Sequence, residues 1–420
     1  MKLRYIIIAF IIGTLIFLAT FRKVNEFNYI AIGDEDKFWK VQSVDTMKYS
    51  RDLSREMLEN KSFDSIIDDT MKKISATGAT HVSIGTPYDR EFLPILKRWI
   101  DSARRENLKI WFRGNFSGWE GWFDYPKIGR EEHIALTRNF ILNNPNLFKD
   151  GDIFTASPEC ENGGPGDPRH NGDLSGHRAF LIKEYQTTES AFEKIGKKVR
   201  SNFNSMNGDV ASLVMNKATT QVLGGIVAVD HYVATPDKLA ADIKKLSANS
   251  GGKVVLSEFG VPIPDINGKM SELEQAKWIS NALEKLVKMN ELEGLNYWVS
   301  VGGSTEIWPR NGKPKMAVQT ITKFFTPEIF SGFIVDESGK PIIGALISGE
   351  YTSILSGLNG HFKMPYLKDR PMTLEIKAPE YLVKTYAIDP NNDKQAEIVL
   401  MKERPSLISR FWQFIKSIFI

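Results

Sequence analysis

Two carboxylates follow a short apolar run near the middle of the chain. The segment from Asp152 to Gly164 reads DIFTASPECENGG, so Glu159 and Glu161 come just after Ile, Phe, Thr and Ala. An apolar run bounded by Gly and Pro predicts a short buried strand, and Pro158 is expected to end its hydrogen-bonded ladder. Both carboxylates should then lie at the carboxyl end of that strand, where one of them could act as a catalytic acid.

A third carboxylate lies much later in the chain, near the end of another apolar run. The segment KVVLSEFG at residues 253–260 predicts a buried strand with Glu258 close to its end. Two carboxylates at facing strand ends suit a double displacement at a sugar carbon, because one carboxylic acid can protonate the leaving oxygen while the other carboxylate attacks. This chemistry depends on whether the fold brings Glu159 and Glu258 together.

Apolar strands alternate with amphipathic helices between residues 38 and 325. Strands are predicted within 38–52, 80–85, 108–118, 152–164, 198–204, 225–233, 253–260 and 295–303. Helices are predicted at 62–76, 92–105, 130–148, 178–194, 210–222, 237–248, 272–289 and 316–325. This alternation, with strands apolar on both faces, predicts a parallel (β/α)8 TIM barrel of the α/β class. A doubly wound sheet would need a Gly-rich loop after its first strand, and the sequence has none.

The active site of such a barrel lies at the carboxyl ends of its strands. Glu159 is nearer to the end of strand four than Glu161, so Glu159 is the better candidate for the acid and Glu161 stays the alternative. Partial burial beside a second carboxylate would raise the pKa of that acid. Further candidates, all for substrate binding, stand at the same strand ends: Arg113, Asn115, Glu161, Asn204, His231, Tyr232 and Trp298.

Several of these residues also have a purely structural interpretation. His231 could be a satisfied core histidine, Trp298 could pack against the barrel rim, and Arg113 could form a rim salt bridge. Aromatic faces at a barrel mouth suit stacking on sugar rings. We therefore expect two of four tryptophans to contact a ligand: Trp119, Trp122, Trp298 and Trp308.

Three strand-end segments carry a family resemblance. VVLSEFG, VDHYV and NYWVS, at residues 254–260, 229–233 and 296–300, resemble strands seven, six and eight of the retaining glycoside hydrolases of clan A, the cellulase-like (β/α)8 group. The resemblance covers residues 38–325 and implies Glu159 as acid/base, Glu258 as nucleophile, and His231, Tyr232 and Trp298 in the substrate site. The sequence departs from the family at Pro158, where an Asn that binds the sugar 2-hydroxyl is usual.

Two functions follow from these observations. The first is a glycoside hydrolase that cleaves a polysaccharide or oligosaccharide by a retaining double displacement. The second is a catalytically inactive barrel that binds glycan or serves as a scaffold in a cell-envelope or polysaccharide-export system, and the missing Asn keeps this alternative open.

Composition excludes several other classes of function. The 420 residues include 54 basic and 51 acidic side chains, a near balance that gives no electrostatic footprint for nucleic acid. Cys160 is the only cysteine, so an internal disulfide and a cysteine-based zinc site are both excluded. The histidines are scattered and form no metal-binding motif. We expect no metal and no cofactor, and a carbohydrate as the partner.

The two ends of the chain point to a membrane. Tyr5–Phe21 is apolar and long enough for a short span, and its end is a poor signal-peptidase site, so an uncleaved anchor is favoured over a cleaved signal. The final segment, RPSLISRFWQFIKSIFI, places its apolar residues on one helical face, as in an interfacial helix or a helix packed on protein. We expect a membrane-anchored protein whose catalytic domain lies outside the cytoplasm.

Period-two alternation replaces the helical pattern after Phe325. SGFIVDESGKPIIGAL and SGLNGHF, at 331–346 and 356–362, predict a small antiparallel β-sandwich and resemble the carboxypeptidase regulatory-like domain. The predicted domains are a transmembrane signal-anchor at 1–24, the barrel at 25–327, the sandwich at 328–402 and an amphipathic tail at 403–420.

Overall fold

The computed structural model describes residues 31–32, 36–46, 48–310, 312–368, 370–389 and 395–403. They form two compact units: Lys37–Thr326, and the residues from Pro327 onward together with the segment that ends at Asp36. Within these ranges no helix is long and apolar enough to cross a membrane. The predicted anchor at 1–24, and the predicted tail from residue 404 on, lie outside the described residues.

The first unit contains eight parallel strands in one curled sheet. They are β1 (Val41–Asp45), β2 (His81–Ile84), β3 (Lys109–Phe112), β4 (Ile153–Phe154), β5 (Ser205–Asn207), β6 (Ile226–Asp230), β7 (Lys253–Phe259) and β8 (Leu292–Tyr297). β1 pairs with both β2 and β8, so the first and last strands are neighbours. An isolated parallel bridge from Ile153 to Arg200 links β4 to the chain that leads into β5. The predicted (β/α)8 barrel is confirmed.

Helices follow the strands as the apolar spacing predicts. The helix Phe63–Ala76 buries Ile67, Met71 and Ile74 along one face, and Glu272–Leu286 begins at a capping box. The other α-helices are Ser54–Glu59, Leu93–Arg105, Ser117–Glu120, Arg130–Asn143, Pro168–Asn171, Leu174–Lys194, Gly208–Val214, Lys217–Val222, Pro236–Ser250, Pro264–Asn267 and Met316–Phe325. A π-helical turn at Lys48–Asp52 follows β1.

Strand five lies later in the chain than the sequence predicts. The predicted segment, 198–204, is irregular apart from the bridge at Arg200, and the strand itself is Ser205–Asn207. The predicted helix at 210–222 is two helices, because the side chain of Asn216 accepts a hydrogen bond from the Thr219 N–H and starts a second one. The end of strand five therefore lies three residues later than the sequence suggested.

Alternation along the strands decides which side chains face the barrel interior. The interior core consists of Val41, Trp111, Ile153, Phe203, Ile226, Ala228 and Val255. Side chains alternate along a strand, so residues two positions apart lie on the same face. Asp230 follows Ala228 on β6 and Ser257 follows Val255 on β7 in this way, so both also face the interior. A polar layer thus covers the apolar core at the carboxyl ends of the strands.

The second unit consists of two sheets over its own apolar core. One sheet holds Glu328–Asp336, His361–Tyr366 and Gln395–Leu400, and the other holds Ala31–Ile32, Leu346–Ser348, Ser353–Leu355, Met372–Lys377 and Lys384–Ile388. Most pairs are antiparallel, as predicted, but Gln395–Leu400 and Ala31–Ile32 pair in parallel with their neighbours. The regulatory-like identity of this unit stays a prediction.

Candidate active site at the barrel mouth

A buried arginine is the centre of the polar layer. Nη2 of Arg113 lies 2.9 Å from Asp230 Oδ2 and 3.0 Å from Glu258 Oε1, and Nη1 lies 3.3 Å from Asp45 Oδ2. Burial alone would lower the pKa of Arg113, but the three carboxylates raise it above its ordinary value. The guanidinium therefore stays charged and holds strands β1, β6 and β7 around one point.

Glu258 is held by one ion pair and one hydrogen bond. Its Oε1 pairs with Arg113, and its Oε2 accepts a hydrogen bond of 2.6 Å from the Tyr232 hydroxyl. Burial, and then the charge of Glu258, raise the pKa of Tyr232 well above its usual range, so the phenol stays protonated and donates. The carboxylate thus has a set orientation at the end of β7.

Glu159 lies in the turn that follows β4. Its φ is +47°, in the left-handed region, and its backbone N–H donates to the Ser205 carbonyl at 2.9 Å. The side chain is partly exposed. Burial, followed by the negative charge of Glu258, raises the pKa of Glu159 to about 8, although Arg113 opposes the shift. Glu159 is therefore protonated at neutral pH, and it lies close enough to Glu258 for the charge of Glu258 to raise its pKa.

Glu161, the alternative acid, has a different environment. Its side chain is 3% exposed, and its Oε1 accepts a hydrogen bond of 2.6 Å from the backbone N–H of Asn207. Burial raises its pKa. This contact ties the loop after β4 to the end of β5, and of the two glutamates only Glu159 is partly exposed.

Two further carboxylates also face the mouth: Asp45, which was not predicted, and Asp230, which is a strand-end residue in the sequence but received no predicted role. Burial raises the pKa of Asp45 to about 6, against the opposing effect of Arg113. Burial likewise raises the pKa of Asp230, which accepts a hydrogen bond of 2.5 Å from the Ser257 hydroxyl. The alternation Val41, Ser43, Asp45 along β1 was the signal that could have found the first of them.

Two other predicted residues contact neighbouring elements. Asn115 Oδ1 accepts a hydrogen bond of 2.6 Å from His133 Nε2, which ties Asn115 to the helix Arg130–Asn143. His231 Nε2 lies 2.8 Å from Asp242 Oδ2 on the helix behind β6. The partners of the Asn115 and His231 side chains in these contacts are therefore His133 and Asp242, and not the glutamates Glu159 and Glu258.

Asn204 also points away from the mouth. It lies between Phe203, which belongs to the interior core, and Ser205, which pairs with the interior residue Ala228. The carbonyls of Phe203 and Ser205 both accept hydrogen bonds from the β4 side, from Thr155 Oγ1 and from the Glu159 N–H, so the backbone is extended at these residues and the side chain between them points to the opposite side. Asn204 is buried and therefore faces the helix layer.

Trp298 and Trp122 are the partly exposed tryptophans among the four candidates. The ring of Trp298 stands edge-on to Tyr232 with 6.1 Å between centroids, beside Glu258. Trp122 carries the Arg51 guanidinium 4.9 Å from its ring centroid. Trp119 and Trp308 are 1% and 3% exposed, so their faces are covered by protein.

The raised pKa of Glu159 predicts an effect on stability that needs no substrate. Between the unfolded value of 4.5 and about 8 the folded state binds more protons than the unfolded state, so this group makes the fold less stable as pH rises. Glu159→Gln removes that effect. We expect its melting temperature to equal that of the parent at pH 4 and to exceed it at pH 9. A difference that did not change with pH would contradict the raised pKa.

Fold and site together define a class: parallel (β/α)8 barrels with two glutamates at the carboxyl ends of strands four and seven. Solved structures of similar fold include a GH5_18 glycoside hydrolase variant of Bifidobacterium longum in complex with Manβ1-4GlcNAc, at TM-score 0.53 and 15% identity over 74% of this chain and 84% of that one. A GH5_18 variant of Streptomyces cattleya with the same ligand has TM-score 0.51 and 12% identity over 73% and 85%.

At the level of sequence, no family model and no curated protein matches the chain. At identities of 15% and 12% the solved structures show the fold alone.

Proposed function

We propose that the barrel is a glycoside hydrolase that cleaves a polysaccharide or oligosaccharide by a retaining double displacement. The observation that carries the proposal is the contrast between two interacting glutamates. Glu159 has a pKa raised to about 8 and holds a proton, whereas Glu258 is paired with a buried arginine. Two carboxyl groups whose environments differ in this way suit an acid and a nucleophile.

The first step uses both groups at once. Glu159 gives its proton to the glycosidic oxygen, and a carboxylate oxygen of Glu258 attacks the anomeric carbon as the bond to the leaving group breaks. The products are a free alcohol and a sugar esterified to Glu258. The Tyr232 hydroxyl, 2.6 Å from Glu258 Oε2, keeps the attacking carboxylate oriented.

The second step reverses the role of Glu159. The negative charge of Glu258 is the second cause of the raised pKa of Glu159, and ester formation removes that charge. The pKa of Glu159 then falls, so the carboxylate can accept a proton from water while the water oxygen attacks the anomeric carbon. The sugar leaves with its original configuration, and Glu159 is protonated again.

A carbohydrate substrate is supported by the character of the mouth. The partly exposed Trp298 and Trp122 offer aromatic faces. Arg113, the cation at the centre, is already shared by three carboxylates, which leaves it little capacity for an acidic sugar. The two similar barrels with a bound mannosyl disaccharide support the same substrate class.

Covalent trapping tests this proposal. A panel of aryl glycosides would identify a hydrolysed sugar, and the matching 2-fluoro glycoside with a good leaving group should inactivate the protein, because fluorine slows hydrolysis of the intermediate. We expect the mass of one sugar on the peptide that contains Glu258. Label on another residue, or inversion at the anomeric carbon, would refute the mechanism. Glycan binding without any turnover would support the inactive glycan-binding barrel.

A further inference from the structure

Asn207, which sequence analysis did not select, is the last residue of β5. Its Cα pairs with that of Asp230 on β6. Residues paired in neighbouring parallel strands direct their side chains to the same face of the sheet. Asp230 faces the interior, where its Oδ2 lies 2.9 Å from Arg113 Nη2. The side chain of Asn207 therefore faces the barrel mouth, on the same side as Arg113 and its carboxylate partners.

The amide of Asn207 is free to bind a ligand. The residue occupies the N-cap position of the helix Gly208–Val214, where an Asn side chain commonly accepts a hydrogen bond from the helix, but this one makes no such bond. Among the residues that the structure describes, the Asn207 side chain has no hydrogen-bond partner, and it is partly exposed. Because the Asn207 side chain does not bind the helix N-terminus, its amide is available to bind a ligand.

The backbone on both sides of that amide is firmly held. The Asn207 N–H donates to Glu161 Oε1 at 2.6 Å, which binds it to the loop that carries Glu159. A Cβ at Gly208 would lie 2.4 Å from His231 Nδ1, so only glycine permits this close approach between β5 and β6. Asn207 thus lies between the loop that carries Glu159 and strand β6.

Two other amides near the mouth differ from Asn207 in their partners or in their exposure. Asn296 Nδ2 donates to Asp45 and to the Ser257 carbonyl. Asn115 Nδ2 has no hydrogen-bond partner among the described residues, but Asn115 is 0% exposed and therefore covered by protein, whereas Asn207 is partly exposed. Pro158, directly before Glu159, has no side-chain donor. A retaining hydrolase gains transition-state stabilisation from a hydrogen bond to the sugar 2-hydroxyl, which lies on the carbon next to the reacting one.

We propose that Asn207 Nδ2 donates a hydrogen bond to the 2-hydroxyl of the sugar whose anomeric carbon lies between Glu159 and Glu258. The inference rests on the proposed glycoside hydrolase activity and adds a residue that positions the substrate. It also assigns to the end of strand five a contact that Pro158 cannot make from strand four. The bond tightens as charge develops on the ring, so its loss lowers kcat/KM.

Paired substrates test the assignment. The parent protein and Asn207→Ala would be compared on the best aryl glycoside and on its 2-deoxy analogue. On the complete sugar we expect Asn207→Ala to lose about 100-fold in kcat/KM, the size typical for one transition-state donor. On the 2-deoxy sugar, which lacks the hydroxyl, the parent and the variant should be nearly equal.

Asn202→Ala is the matched control, since Asn202 lies on the same segment but donates to the Gly224 carbonyl on the helix side. It should leave the ratio of the two substrates unchanged. Equal losses by Asn207→Ala on both substrates would assign a structural role to Asn207 and overturn the inference. A parent protein without turnover of either substrate would instead refute the proposed function, and the inference with it.

Discussion

Glu258→Ala is expected to lower kcat/KM by about 10⁴-fold or more, because the variant lacks the group that forms the covalent intermediate. Binding of the substrate should change little, since the remaining mouth is intact. Removing the carboxylate also removes the charge that helps to raise the pKa of Glu159, so the acid would titrate at lower pH. Steady-state rates and equilibrium binding of the same oligosaccharide would separate the two effects.

Glu272→Ala provides the control for this experiment. Glu272 is exposed in the first turn of the helix Glu272–Leu286, and its loss should leave the rate unchanged. Azide is small enough to enter the space that the Glu258 side chain vacates, and it should restore turnover with formation of a glycosyl azide of inverted configuration. Hydrolysis by Glu258→Ala at the parent rate would remove Glu258 from the mechanism.

The strand ends that carry both glutamates could be predicted because each signal is local. An apolar run of a few residues indicates a buried strand, and a polar residue just after it lies at the mouth of a barrel. Glu159, Glu161 and Glu258 all follow from this rule. The raised pKa of Glu159 does not follow from it, because that pKa depends on Glu258 and Arg113, which are distant in sequence.

Residues that depend on register could not be placed in the same way. A one-residue shift turns a side chain from the interior to the helix side, and the irregular segment before β5 hid that register. The sequence therefore selected Asn204, which faces the helices, while Asn207 faces the mouth. In the same way Asp45 was missed on β1, although its carboxylate lies 3.3 Å from Arg113.

Arg113→Met is expected to destabilise the barrel by about 3 to 5 kcal/mol at neutral pH, the usual effect of breaking a buried ion pair from one side. Arg113 is 1% exposed and is shared by Asp45, Asp230 and Glu258, so its removal leaves buried carboxylates without a counter-charge. Urea unfolding of the parent and the variant would measure the difference in the free energy of unfolding.

The pH dependence of the free energy of unfolding of Arg113→Met distinguishes the loss of charge pairing from the loss of packing. The pKa of Asp45 is about 6 and that of Asp230 is raised even with the arginine present, and without it both rise further. The folded variant then binds more protons than the folded parent, so its deficit in stability should shrink from pH 8 to pH 5. Arg55→Met, which removes an exposed arginine 2.8 Å from Glu91, should cost much less stability than Arg113→Met, because solvent screens that pair. A deficit of Arg113→Met that was equal at both pH values would assign the role of Arg113 to packing and not to the charge of the carboxylates around it.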